Sequence, residues 1–234
     1  MRFRIKNWKL AFLAVLFICF FTSLGMWQLA RAQQKKILLK SFAERTLLTP
    51  LTAHDLDQHR DLRFYQARIT GTFDNAHTLL LDNKISHSSV GYEVYTPFKI
   101  KENSTYILVD RGFVPMGKNR SDLPIVPAIQ GAITIIGMLN LPPRYVAFGA
   151  LHDDKIKWPL RVEYINQAEI EKLFNYSLLA YTLSLKPADG AAFTMEWQAV
   201  TMPPERHMGY AAQWFALALT LLILFVALNC DRSR

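Results

Sequence analysis

Two long apolar runs, one near each end of the chain, constrain what this sequence can fold into more than any other feature. Residues 10–27 and 209–228 contain no Lys, Arg, Asp or Glu. Each is close to the roughly 20 residues that a helix needs to cross a hydrocarbon core at about 1.5 Å per residue. A 234-residue chain that is 51% hydrophobic and 20% charged must concentrate its apolar excess somewhere, and these runs are where it lies. The expected organisation is a tail at residues 1–9, a first transmembrane helix at 10–30, a β-rich domain at 31–206, a second transmembrane helix at 207–228 and a tail at 229–234.

The net charge of +8 would suit a nucleic acid or an anionic membrane, so its location matters. Arg2, Arg4, Lys6 and Lys9 precede the first run, and Arg232 and Arg234 follow the second against Asp231. With those six cations and Asp231 set aside, 21 of the 27 basic and 18 of the 19 acidic residues remain between the spans. The excess therefore flanks the membrane, as the positive-inside rule expects, and nucleic-acid binding is not supported. Basic flanks on both tails place both termini in the cytoplasm. An even number of spans then puts the central domain on the opposite, periplasmic side of a bacterial inner (plasma) membrane.

The two cysteines, Cys19 and Cys230, sit at different expected membrane depths, too far apart for a disulfide whose Cα atoms must lie roughly 4.4–6.8 Å apart. The domain has no cysteine, which excludes a C-x-x-C redox motif and a thiolate copper or zinc site there. A basic start, an apolar run and Ala30-Arg31-Ala32 also resemble a cleavable signal peptide, but the run exceeds the usual 7–15-residue h-region. Beyond it, residues 28–46 are rich in helix formers, with no glycine or proline before Pro50, so the first helix is expected to continue past the membrane. Arg31 and Lys35 follow Trp27 at steps of four, near one face of that helix.

From Leu62 short β-rich runs replace the helical pattern: 64–73, 78–81, 92–100, 105–114, 132–141, 161–165, 180–185 and 193–200. Turns are expected at Asp82-Asn83, Glu102-Asn103-Ser104, Pro142-Pro143 and Ala188-Asp189-Gly190. Only residues 167–174 read as a helix. The fold class expected is a membrane protein whose two terminal transmembrane helices flank one extracytoplasmic, mostly antiparallel β domain of α+β type, open or partly closed as a barrel.

Enzyme signatures are absent: no G-x-S-x-G elbow, no H-E-x-x-H and no glycine-rich phosphate loop. Of the histidines, His54, His59, His77, His87, His152 and His207, only His54 and His59 are near each other, without the carboxylate or thiolate that would complete a metal site. The most informative segment is the entry to the second span. His207, Tyr210, Ala211 and Trp214 recur at i, i+3, i+4 and i+7 and so share a helical face. On one reading Tyr210 and Trp214 are interfacial anchors and His207 marks the helix end; on the other His207, an ionisable side chain beside a span, is a ligand or proton carrier.

Gly25-x-Trp27-Gln28-x-x-Arg31-x-x-x-Lys35 and Arg206-His207-x-x-Tyr210-Ala211-x-Gln213-Trp214-Phe215 resemble the two membrane signatures of the surfeit locus protein 1 family. Tyr65…Gly71-x-Phe73, Gly91-Tyr92…Thr96-Pro97-Phe98 and Val109-Asp110-Arg111-Gly112-Phe113-Val114-Pro115 are similar to its internal motifs, in the same order. The departures are Phe113, where the family usually has Trp, and Glu205, where Asn commonly precedes the Arg-His pair.

The resemblance implies an assembly factor for haem-copper cytochrome c oxidase, not an enzyme, that holds or presents haem a to the catalytic subunit; haem a synthase is a second candidate partner. The family's histidine falls on His207, the implied iron ligand and only metal-binding residue. Tyr210, Trp214 and Trp27 would complete the haem site, with Arg31 and Arg206 placed to pair with propionates. Two other readings stay open. One is a haem-independent scaffold for an oxidase subunit. The other is an anchored periplasmic enzyme, which would need residues such as Asp110, Arg111 and His152 to converge in a pocket.

Overall fold

The computed structural model describes every residue except 1, 4, 6, 58–60, 121, 144–150, 152–155, 188 and 232–234. In chain order its elements are β1 (Arg2–Phe3), α1 (Trp8–Arg45), β2 (Gln66–Phe73), β3 (Leu79–Ser86), β4 (Ser89–Ile100), β5 (Tyr106–Pro115), β6 (Ile133–Asn140), β7 (Leu160–Val162), α2 (Gln167–Phe174), β8 (Leu178–Leu185), α3 (Pro204–Asn229) and β9 (Cys230–Asp231). The chain divides into two compact units, residues 1–41 with 199–234, and residues 42–198.

The first unit is a helix pair. Asn7 caps α1, its Oδ1 accepting from the backbone N–H groups of Lys9 (3.0 Å) and Leu10 (3.3 Å). The helix then runs unbroken to Arg45, because nothing from Gln28 onward disfavours it. The change from span to domain expected at residue 31 thus lies inside one continuous helix, and the β-rich unit begins at Phe42. α3 starts at Pro204, ahead of the expected 207, with proline in its favoured first-turn position.

On α1 the buried or half-buried positions Ala11, Ala14, Ile18, Phe21, Gly25, Gln28 and Ala32 recur at alternating steps of three and four. On α3, His207, Ala211, Trp214, Ala218, Leu221 and Phe225 do the same. This alternating spacing is that of a seam between two packed helices. Its small residues permit close approach, as membrane helices prefer. The remaining surface is apolar, with Phe12, Leu16, Phe20, Leu219 and Ile223 among many exposed side chains. Only 11% of the most apolar window of each helix is buried. A soluble core helix would bury most of that window, so both helices are long enough, apolar enough and uncovered enough to span a bilayer.

In the second unit β4 organises the sheet. One of its edges pairs with β5. The other pairs with β3 as far as Tyr95 and then with β2 at Phe98, Lys99 and Ile100. Because β2 also pairs with β6, the strands close as β2-β6-β8-β5-β4 and back to β2, with β3 and β7 extending the sheet. Most pairings are antiparallel; β3–β7 and β5–β8 are parallel. Alternate residues of β2 point inward. They meet Ile100, Ile107, Val109, Ile135, Leu139 and Leu183 in one core. A second core, including Leu79, Tyr95, Leu108 and Leu160, receives Ile170 and Phe174 of α2. That helix matches the expected span, capped by Asn166 and ended by Asn175 in the left-handed conformation.

Two expectations are corrected. Asp82-Asn83 is not a turn: β3 continues through it with a register shift between Leu81 and Lys84, and Asn83 sits at φ 59°. Asp82 is buried there by its ion pair to Arg120 (2.6 Å), and the reversal comes at His87-Ser88, both at positive φ. Residues 193–200 do not form a strand. The pairing of β5 with β8 ends at Asp110, so beyond it only Phe193 and Thr194 reach β5, through Phe193 N–H to Arg111 O (2.6 Å) and Phe113 N–H to Thr194 O (2.8 Å). The Ala188-Asp189-Gly190 turn lies partly outside the described residues.

Candidate functional site

His207 stands in the first turn of α3, buried at 8% exposure. Its Nδ1 lies 2.8 Å from Oε1 of Gln28 on α1. Its Nε2 is buried and has no hydrogen-bond partner among the described residues. A buried imidazole nitrogen left unsatisfied costs about 1–3 kcal/mol, so this atom is where the helix pair invites a further partner. Two turns on, Trp214 stacks on Phe21 with ring centroids 5.6 Å apart and planes at 20°. Gly25 lies between these contacts along α1, so close to α3 that a Cβ there would sit 2.6 Å from the Phe215 ring.

The other expected site residues distribute differently. On α3, Ala211 is buried at 1% but Tyr210 is 46% exposed; the anticipated shared face resolves into a buried His207–Ala211–Trp214 edge with Tyr210 outside it. Trp27 is 51% exposed, and its ring carries the Arg31 guanidinium at 5.5 Å, while Arg31 also donates to Gln34 Oε1 (3.1 Å). Arg206 and Glu205 are exposed in the first turn of α3, where a carboxylate complements the helix N-terminus. Imidazole and cations therefore lie in different environments, the first buried at the seam and the second solvent-facing.

Sequence reasoning named Gln28 only within the first membrane signature, with no role of its own, and overlooked Phe21. The 3-4 spacing running from Ala11 through Gly25 to Ala32 could have placed both on the seam. A lone amide at the end of an apolar run was the available signal for Gln28.

In the β-rich unit, Asp110 and Arg111 are both buried and both occupied. β5 bulges at Arg111, which is unpaired between Tyr95–Asp110 and Val94–Gly112, and Gly112 takes φ +106°. Asp110 accepts from Ser184 Oγ (2.9 Å) and Gly112 N–H (3.0 Å). Arg111 donates to the carbonyls of Ala191 (3.0 Å) and Pro127 (3.3 Å) and packs against the Phe193 ring at 4.9 Å. Burial lowers its pKa to about 10. These contacts serve the bulge. His152 and His59 lie outside the described residues. No group of three or more His, Cys, Asp or Glu among the described residues could hold a metal ion.

Comparison with known protein sequences covers almost the whole chain. A SURF1-like protein of Rickettsia prowazekii (strain Madrid E) is 26% identical over 223 residues, spanning 93% of this chain and 88% of that protein. A SURF1-like protein of Rickettsia felis is 29% identical over 87% of this chain and 89% of its own length. Surfeit locus protein 1 of Takifugu rubripes is 24% identical over 87% and 90%. The sequence model of the SURF1 family matches residues 15–219, from the first apolar helix through the His207–Gln28 contact to the second, and on that match the chain belongs to the SURF1 family.

Proposed function

We propose that this protein is a membrane-anchored assembly factor for a haem-copper cytochrome c oxidase, which holds haem a through His207 and presents it to the catalytic subunit. The observation carrying this reading is the buried Nε2 of His207, a ring nitrogen with no hydrogen-bond partner among the described residues, at the seam of two apolar helices. An imidazole nitrogen is a standard axial ligand, and haem supplies the iron that would take it up. Trp214 and Phe21 provide an aromatic wall. Trp27 and Tyr210 offer exposed rings along the helices, and Arg31 and Arg206 supply cations suited to propionates. A single imidazole ligand would suit a carrier that must release its cargo.

The basic flanks favour both tails in the cytoplasm of a bacterial inner membrane, with the β-rich domain in the periplasm, where it would meet the oxidase catalytic subunit and, in the same sequence of steps, haem a synthase. The decisive experiment purifies the full chain from haem a-producing cells and records absorption spectra, with membrane protein level measured alongside. His207→Ala should lose the bound haem spectrum while inserting normally, and His207→Met should give a shifted one. If the parent copurifies with oxidase subunits but never with haem, or if both variants bind haem a as the parent does, the haem-holding role is wrong and a scaffold remains.

A further inference from the structure

We infer that Gln28 is the positioning residue for His207: it holds the imidazole as the tautomer whose bare nitrogen is Nε2. The inference rests on the reading of His207 as a ligand. A neutral imidazole has one N–H donor and one acceptor nitrogen, and the bond made by one decides the role of the other. Gln28 Oε1 lies 2.8 Å from Nδ1. An amide oxygen only accepts, so Nδ1 carries the proton and the Nε2 lone pair is left free.

The opposite arrangement, with the Gln28 amide nitrogen donating to Nδ1, would leave a buried Nε2–H donor with nothing to receive it. Orphaned buried N–H groups are the rarer and less tolerated kind. Nor does the seam offer Nε2 another role, since among the described residues no donor satisfies it.

Position matters as much as protonation. Gln28 occupies a seam position of α1, one turn beyond Gly25, whose missing side chain lets the helices close. The amide therefore reaches an imidazole 179 residues away in sequence. An outer partner of this kind fixes ring orientation and raises ligand basicity, and its loss costs roughly 10–100-fold in metal affinity.

The test uses the full chain in detergent micelles with isotope-labelled histidine. The His207 resonance is identified by its absence in His207→Ala, and the tautomer is read from ring nitrogen shifts without haem. Ferric haem a is then titrated and its binding followed by absorbance. The parent should show protonated Nδ1 and bare Nε2. Gln28→Leu should populate the other tautomer and weaken haem a binding by about 10–100-fold, and Gln28→Glu, which keeps an acceptor, should restore both. A parent with protonated Nε2, or a Gln28→Leu variant with tautomer and affinity unchanged, overturns the inference. If Gln28→Leu alone keeps full affinity while His207→Ala loses it, only the role of Gln28 fails; if both keep it, the ligand reading fails too. Poor accumulation of Gln28→Leu leaves the parent's tautomer as the deciding result.

Discussion

At the scale of single residues, the β-rich unit carries a buried carboxyl whose chemistry has a measurable signature. Burial, and then the nearby Glu93 charge, push the Asp110 carboxyl well above the usual carboxylate range, against the lowering bonds from Ser184 and Gly112. Lys84 is drawn into an ion pair with Glu93 at 2.5 Å. An unfolded Asp ionises near about 3.9, whereas the folded one holds its proton to higher pH. Between those two points the unfolded chain binds fewer protons, so stability falls as pH rises through that window. Asp110→Asn keeps an acceptor for the Gly112 N–H and supplies an amide donor for Ser184 Oγ, without charge. Thermal melting of the full chain in micelles should show Asp110→Asn losing less Tm than the parent as pH rises above the ordinary carboxylate range of about 4. A variant that loses Tm with rising pH as steeply as the parent would mean that this carboxyl does not carry the pH dependence. None of this was legible from the sequence, where Asp110 was a motif letter and a candidate pocket residue but nothing marked it as buried. His207 stood out because an ionisable group beside an apolar run is unusual, but its partner Gln28 did not, because nothing local links an amide to an imidazole 179 residues away.

At the scale of elements, the two glycines of the helix pair predict opposite outcomes. A Cβ at Gly25 would meet the Phe215 ring at 2.6 Å, whereas one at Gly209 meets nothing within 4 Å. Gly25→Leu should therefore wedge the seam and lower stability by about 1–3 kcal/mol. Gly209→Ala should hold or raise it by up to about 1 kcal/mol through helix propensity alone. Melting of both variants in one detergent is the check, and equal effects would argue against a packed seam. The elements themselves were read unevenly. Helix α2 and the strands around Tyr95 and Val109 follow local pattern, so periodicity located them. Residues 193–200 alternate like a strand but found only a short free edge of β5, and Asp82-Asn83 looks like a turn but is held in a bulge by Arg120. Both errors share a cause: pairing depends on which edge is open and which charge is near, and neither is written locally.

At the scale of the whole molecule, the distribution of charge predicts a topology. Reporter fusions after Met1 and after Arg234 should both report cytoplasm, and an insertion at Asn103, in the turn between β4 and β5, should report periplasm. A purified protein whose N-terminus begins near residue 33 would instead show that the first run is a cleaved signal, and the two-span arrangement would fall.

What the sequence determined by itself was everything set by composition and short-range periodicity: two membrane-competent helices, a β-rich domain between them and its small helix. Those follow from transfer free energies and local geometry, which each segment carries alone. Tertiary structure decided the rest. The closure of β2 onto both β6 and β4, the bulge that buries Arg111, the seam register that brings Gln28 to His207, and the exposure of Tyr210 all depend on which distant surfaces meet, and only folding the chain supplies that.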